Sequence, residues 1–307
     1  MSFFPGPDPL AGDKPACDAI EHLIVPRTSD IGGLQVRRAL PSAKRRLVGP
    51  FIFFDRMGPA LLRAGEAIDV RPHPHIGLST VTYLFDGEIK HRDSLGTEMV
   101  IRPGDVNLMT AGRGIVHSER SPENQRGHAR SISGLQTWLA LPDHKEEIDP
   151  IFSHTEEQML PHMSDDGIKA RVVIGSFEGA KSPVSVFTDT IYVDLNIAPG
   201  KSAPFAAQWE ERALYILSGE AIIAGDHFAD NQLLVFRPGD EITVTAGPQG
   251  CHVMLFGGAA LGSSRHIWWN FVSSSKERIE KAKEEWRTGR FDIVPGDEEE
   301  FVPLPEG

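Results

Sequence analysis

The chain has 307 residues, enough for about two domains with their own cores. Its 40% hydrophobic and 24% charged content is that of an ordinary globular protein. The net charge of −12, from 31 basic and 43 acidic residues, argues against sequence-independent contact with nucleic acid, which needs Lys and Arg to neutralise phosphates. Two cysteines, Cys17 and Cys251, leave no room for a disulfide framework or a thiolate metal site, and no run of about twenty apolar residues offers a membrane span.

The opening Met1-Ser2-Phe3-Phe4-Pro5-Gly6-Pro7 lacks the charged start and apolar stretch of a secretory signal, so a reducing cytoplasm is the expected location. The first segment with chemical content is Val70-Arg71-Pro72-His73-Pro74-His75-Ile76-Gly77. Residues i and i+2 of a strand point to one face, so His73 and His75 aim together. Thr80–Phe85 is β-branched and aromatic and stops at Asp86-Gly87, a hairpin signal. His91, in Lys90-His91-Arg92-Asp93, is a candidate spare ligand, but its charged flanks favour a solvated strand face over that role. Glu98–Ile101 is a further short strand, closed by the Pro103-Gly104-Asp105 turn.

Gly112-Arg113-Gly114-Ile115-Val116-His117-Ser118-Glu119 then presents the same spacing in His117 and Glu119. Its glycines lack the helix that follows a phosphate loop, and are read as bending the chain so that His117 turns inward. Two adjacent strands carrying these pairs would bring three imidazoles and a carboxylate to one point. That donor set suits a divalent first-row metal with about two of six positions open. His73, His75, His117 and Glu119 are therefore the candidate ligands, and one metal per chain is expected. Phe53, Met57 and Met109 are apolar candidates for a pocket wall and equally for the core.

The second half has the same strand character in Ser185–Phe187, Ile191–Leu195 and Leu233–Phe236. It also repeats the first. Tyr83-Leu84-Phe85-Asp86-Gly87-Glu88 returns as Tyr215-Ile216-Leu217-Ser218-Gly219-Glu220, Arg102-Pro103-Gly104-Asp105 as Arg237-Pro238-Gly239-Asp240, and Thr110-Ala111-Gly112 as Thr245-Ala246-Gly247. Aligned on these motifs, Phe205 and Ala207 stand opposite His73 and His75, while His252 and Met254 stand opposite His117 and Glu119. The second half is thus expected to hold no metal, with His252 a hydrogen-bonded core histidine. One helix is expected, over Ser275–Trp286, capped by Ser274 or Ser275 and laying Ile279, Ala282 and Trp286 on a barrel. The aromatic run Trp268-Trp269-Asn270-Phe271 beside it reads as core, and Asp297-Glu298-Glu299-Glu300 as a solvated tail. Many short strands with Gly and Pro punctuation make an all-β sandwich or barrel.

The sequence resembles the pirin family of the cupin superfamily. The likeness is carried by Val36–Pro41, Val48–Asp55, Arg71–Gly77, Arg102–Asn107, Met109–Glu119 and Gly134–Pro142. It implies a bicupin: two antiparallel β-barrels face to face, here expected over residues 1–147 and 148–307, with one metal in the first. It assigns that metal to His73, His75, His117 and Glu119 and makes iron the expected ion. The donors alone equally admit zinc, manganese, nickel or copper. The general cupin pattern has a glutamate shortly after the His-x-His pair; here Leu78-Ser79-Thr80 stands there, and Glu119 supplies the acid.

Two functions follow from the resemblance. One is a quercetin 2,4-dioxygenase, a monomer acting on a flavonol and O2, with Glu119 also serving as catalytic base. The other is a metal-dependent regulatory or adaptor protein that binds a transcription factor or a metabolic enzyme. The acidic charge argues against direct contact with nucleic acid but is compatible with a protein partner.

Overall fold

The computed structural model describes residues 18–31 and 34–305. Met1–Pro7 and Cys17 lie outside the described residues. The chain is mostly strand and forms the two antiparallel barrels expected. In the first, a seven-stranded sheet faces a four-stranded one. The smaller sheet carries the candidate ligands in the order Asp69–His75, Ile115–Arg120, Ile89–Asp93, Glu98–Ile101. The second barrel is one nine-stranded sheet curled on itself around an apolar core.

Strand Leu78–Asp86 shows why the first barrel can house polar chemistry. It is buried on both faces. Val81 and Tyr83 join the apolar layer between the barrels, while Thr82 on the other face points into the first barrel. Strand Arg130–Ala140 divides in the same way, with Leu135 and Leu139 toward the second barrel and Gln136 and Trp138 inward. The layer between the barrels is aromatic. Phe51 packs on Tyr192 and Phe256 at ring distances of 5.3 and 4.9 Å, and Phe54 packs on Tyr215 at 4.9 Å. Burying each such ring is worth about 1.5–3 kcal/mol, so the barrels form one continuous body.

Strands cross the boundary expected at 147/148 in both directions. Ile20–Ile24 pairs with Leu233–Phe236 in the second barrel's sheet, and Ile151–Thr155 pairs with Val106–Thr110 in the first. The C-terminal elements also cross back. The helix Lys276–Arg287 is capped by Ser275, whose hydroxyl accepts from the Arg278 amide at 3.2 Å. Ile279, Ala282 and Trp286 pack with Phe271 and Trp269 on Ile76, so the helix docks on the first barrel.

Two local readings are corrected. Ser185–Phe187 is not a strand; it follows Pro183 without a ladder partner, and Val184 and Val186 pack into the layer between the barrels. The acidic run at 297–300 is not simply solvated, because Asp297 and Glu300 both bind Arg120.

Candidate metal centre

The ligand strands meet in register. His117 sits directly opposite His73, and His75 lies two residues along the same strand. The bend before His117 requires glycine: Gly112 has φ +52°, and a Cβ there would lie 2.0 Å from the Ile148 carbonyl oxygen. The three imidazoles face one another, with ring centroids 4.4 Å apart for His73–His117 and 5.0 Å for both pairs involving His75. One ligand nitrogen from each lies within 4.8 Å of the others.

The environment of these rings fits a cation. The Nδ1–H of His73 donates to the Arg71 carbonyl at 2.8 Å, which leaves the lone pair on Nε2. Nδ1 of His75 and both ring nitrogens of His117 are buried with no hydrogen-bond partner. Each buried polar atom left unpaired costs about 1–3 kcal/mol, which a bound metal ion would relieve. Burial pushes the pKa of His73 down to about 4. Burial, and then the neighbouring imidazoles, hold His75 and His117 well below the usual histidine range. All three are therefore neutral at pH 7, the form that binds a metal.

A stability dependence on pH follows. Between about pH 4 and 6.5 the unfolded chain binds more protons than the folded, metal-free chain. Stability is complete above about pH 6.5 and falls on acidification toward 4, by up to about 3 kcal/mol for His73 alone. Urea midpoints of chelator-treated protein should fall steadily from pH 7 to pH 5, with a shallower slope in His73→Gln. A flat profile would show that these rings protonate freely in the folded chain.

Glu119 stands beside this group and outside it. The ligand atoms that converge belong to the three histidines. The Glu119 carboxylate reaches toward the opposite sheet, where Oε1 lies 3.3 Å from both Thr82 Oγ1 and Gln136 Nε2. Thr82 has one hydroxyl proton, and Gln136 Oε1 takes it at 2.7 Å, so Gln136 is the firm donor to Glu119. Burial raises the pKa of Glu119, against the opposing effects of His91, Thr82 and Gln136.

His91 is where the sequence reading fails. Lys90 and Arg92 point outward to Glu98, so strand alternation turns His91 inward, opposite Glu119. It is 2% exposed, stacks on Phe152 at 4.7 Å, and lies 5.3 Å from the His117 ring. Its Nε2 donates to Asp93 Oδ2 at 3.0 Å, and Asp93 is fixed in turn by the amides of Leu95 and Thr97. The signal was available, since His91 and Asp93 have the same i, i+2 spacing as the other pairs. Trp138, two residues after Gln136, was also missed as a neighbour of the histidines; its ring meets His75 edge-on at 5.1 Å. Phe53 stacks on Trp138 at 4.0 Å, with the Arg38 guanidinium over its other face at 4.4 Å. Met57 belongs to a separate apolar cluster, whereas Met109 lies in the same cross-strand row as Trp138 and Phe53 through Thr80, and packs on Phe152.

Among the described residues the second barrel offers no counterpart, although not for the residues expected. Strand Ser202–Phe205 pairs with Ile242–Thr245 as Asp69–His75 pairs with Ile115–Arg120. By ladder position, Ala203, Phe205, Val244 and Ala246 replace His73, His75, His117 and Glu119, and all four are core. His252 is not the counterpart of His117. The shared Thr-Ala-Gly falls at different places in the two ladders. Val253 and Leu255 take the barrel interior, which turns His252 outward to bond Asp194 Oδ1 at 2.6 Å. His252→Ala is accordingly expected to leave the metal content at the wild-type level; loss of metal in that variant would overturn this assignment.

Comparison with known proteins agrees with this geometry. The chain matches the family described as Pirin over residues 33–139 and the Pirin C-terminal cupin domain over residues 192–292. A pirin-like protein of Caulobacter vibrioides is 49% identical over 91% of this chain and 97% of its own length. Pirin of Homo sapiens is 30% identical over 84% of this chain and 88% of its own. Among solved structures, quercetin 2,3-dioxygenase from Acinetobacter baumannii superposes with a TM-score of 0.86 at 34% identity, covering 93% of this chain and 95% of that one. With both barrels matched, the ligand-bearing strands inside the first matched region, and near-half identity along almost the whole length of a relative, the chain belongs to the pirin family.

Proposed function

We propose that this protein is an iron-dependent dioxygenase that opens the central ring of a flavonol such as quercetin with O2. The observation that carries the reading is the buried group of three neutral, mutually facing imidazoles with unpaired nitrogens. The similarity to the Acinetobacter quercetin 2,3-dioxygenase supports the substrate class.

His73, His75 and His117 would hold the ion, with Glu119 as a fourth ligand when its carboxylate turns back from Gln136. A bound divalent ion supplies positive charge that favours the ionised form of an enol. The rest is the protein's work. The Gln136 amide holds Glu119 Oε1, so Oε2 is the atom that takes the proton of the substrate's 3-hydroxyl. Burial raises the proton affinity of that carboxylate toward the range a base needs. The flat Trp138–Phe53 stack beside His75 is a wall for a planar aromatic ligand. Burial of the three rings excludes water and strengthens every electrostatic contact.

The test is oxygen uptake with quercetin by protein loaded with one equivalent of iron. Uptake matched to loss of the flavonol absorption band is the expected result. Fully iron-loaded protein inert toward several flavonols would move the assignment to a metal-dependent regulatory role.

A further inference from the structure

We propose that the C-terminal segment 294–305 is a strap that completes the metal centre by holding the bulged ligand strand in the conformation that aims His73 and His75. The inference rests on the reading of the histidine group as a metal site. The segment lies beyond residue 292, where the matched family regions end.

The ladder between the two histidine-bearing strands has a gap. His73 faces His117 and Val70 faces Glu119, so Arg71 and Pro72 together oppose the single residue Ser118. A bulge of this kind re-aims the side chains that follow it and leaves backbone groups without ladder partners. Pro72 has no N–H, so only its carbonyl needs a partner. The two bulge carbonyls are satisfied outside the ladder. That of Arg71 accepts from the ring of His73 at 2.8 Å. That of Pro72 accepts from the amide of Val302 at 2.8 Å. The tail thus occupies the place where the neighbouring strand falls away, one residue before the first ligand.

The tail is anchored on both sides of this bond. Trp286 Nε1 donates to the Val302 carbonyl at 3.0 Å. Arg120, the residue after Glu119, grips Asp297 through both carboxylate oxygens at 2.6 and 2.7 Å and reaches Glu300 at 3.0 Å. Val294, at 1% exposed, is buried at the start of the segment. One short peptide therefore ties together the strand of His73 and His75 and the strand of His117 and Glu119. A paired-oxygen arginine clasp is oriented as well as attractive, unlike an ordinary surface pair.

The test uses chelator-treated full-length protein titrated with Co(II), whose visible d–d bands report coordination geometry, with a competing chelator to obtain the dissociation constant. Val302→Pro removes the amide that bonds Pro72, and Asp297→Ala opens the clasp. Each is expected to weaken Co(II) binding about tenfold or more and to change the d–d bands, as loss of outer supports does at other metal sites. Asp297→Glu should recover much of the affinity, and Glu299→Ala, on an exposed neighbour, should behave as wild type. Should Val302→Pro fail to fold, the Asp297 pair still decides. Wild-type affinity and spectrum in both disrupting variants would overturn the strap, as would equal weakening by Glu299→Ala. Wild-type protein that binds no Co(II) would instead remove the metal reading on which the strap depends.

Discussion

His75→Ala is expected to purify with less than about a tenth of the single equivalent of metal expected of the wild type. The whole donor group is compact; of its other ring neighbours, Trp138 has no lone pair to offer and His91 is engaged with Asp93. A four-ligand structural zinc site gains about 10–16 kcal/mol, or roughly 3 kcal/mol per ligand, so one lost imidazole weakens binding a hundredfold or more. Folding should survive. The variant removes a buried ring whose Nδ1 has no protein partner, and the strand keeps its ladder to Ile115–Arg120. Elemental analysis alongside circular dichroism separates the two effects. A folded variant with full metal content would show that His75 is not a ligand, and two equivalents in the wild type would place a second site elsewhere.

Glu119→Gln is expected to lower the rate of flavonol oxidation far more than it lowers the metal content. Glutamine nearly keeps the shape and still meets Gln136 and Thr82, but it cannot take a proton. Loss of a positioned general base typically costs about 10²–10⁴-fold in rate. The structure places Glu119 against Gln136 and outside the converging histidine nitrogens, so metal binding should depend on it less than on His75. The measurement is oxygen uptake with quercetin, normalised to bound iron in each protein. Equal rates per iron would remove Glu119 from the chemistry. Parallel loss of rate and metal would make it a ligand only.

The histidine group was legible in the chain because its information is local. His73 and His75, and likewise His117 and Glu119, are spaced by two, and a strand's alternation alone puts each pair on one face. The same rule covers His91 and Asp93, but the charged flanks of His91 concealed it. Its burial depends on Phe152, supplied by a strand beyond the expected domain boundary, which no local pattern reveals.

The apolar and β-branched runs also determined the all-β architecture and the late helix. The Tyr83 and Tyr215 motifs marked a true repeat: both tyrosines enter the layer between the barrels. The Thr-Ala-Gly likeness did not. Equivalence in a sheet is set by register, and register is a pairing between distant segments. Only that pairing replaced His252 with Val244 as the counterpart of His117.

The tertiary structure alone decided the strand exchange between barrels, the docking of the helix on the first barrel, and the turn of Glu119 toward Gln136. It also decided the capture of the acidic tail by Arg120. Composition made Asp297 look like a solvated charge, and it would be one in an isolated peptide. It is held because folding brings Arg120 and the gap at Pro72 to the same surface, across 177 positions of sequence in the case of Arg120. The ligand types and their spacing were therefore set by the sequence itself. Which carboxylate, which neighbouring imidazole and which distant segment lie beside the histidines was set by contacts that exist only once the strands are paired.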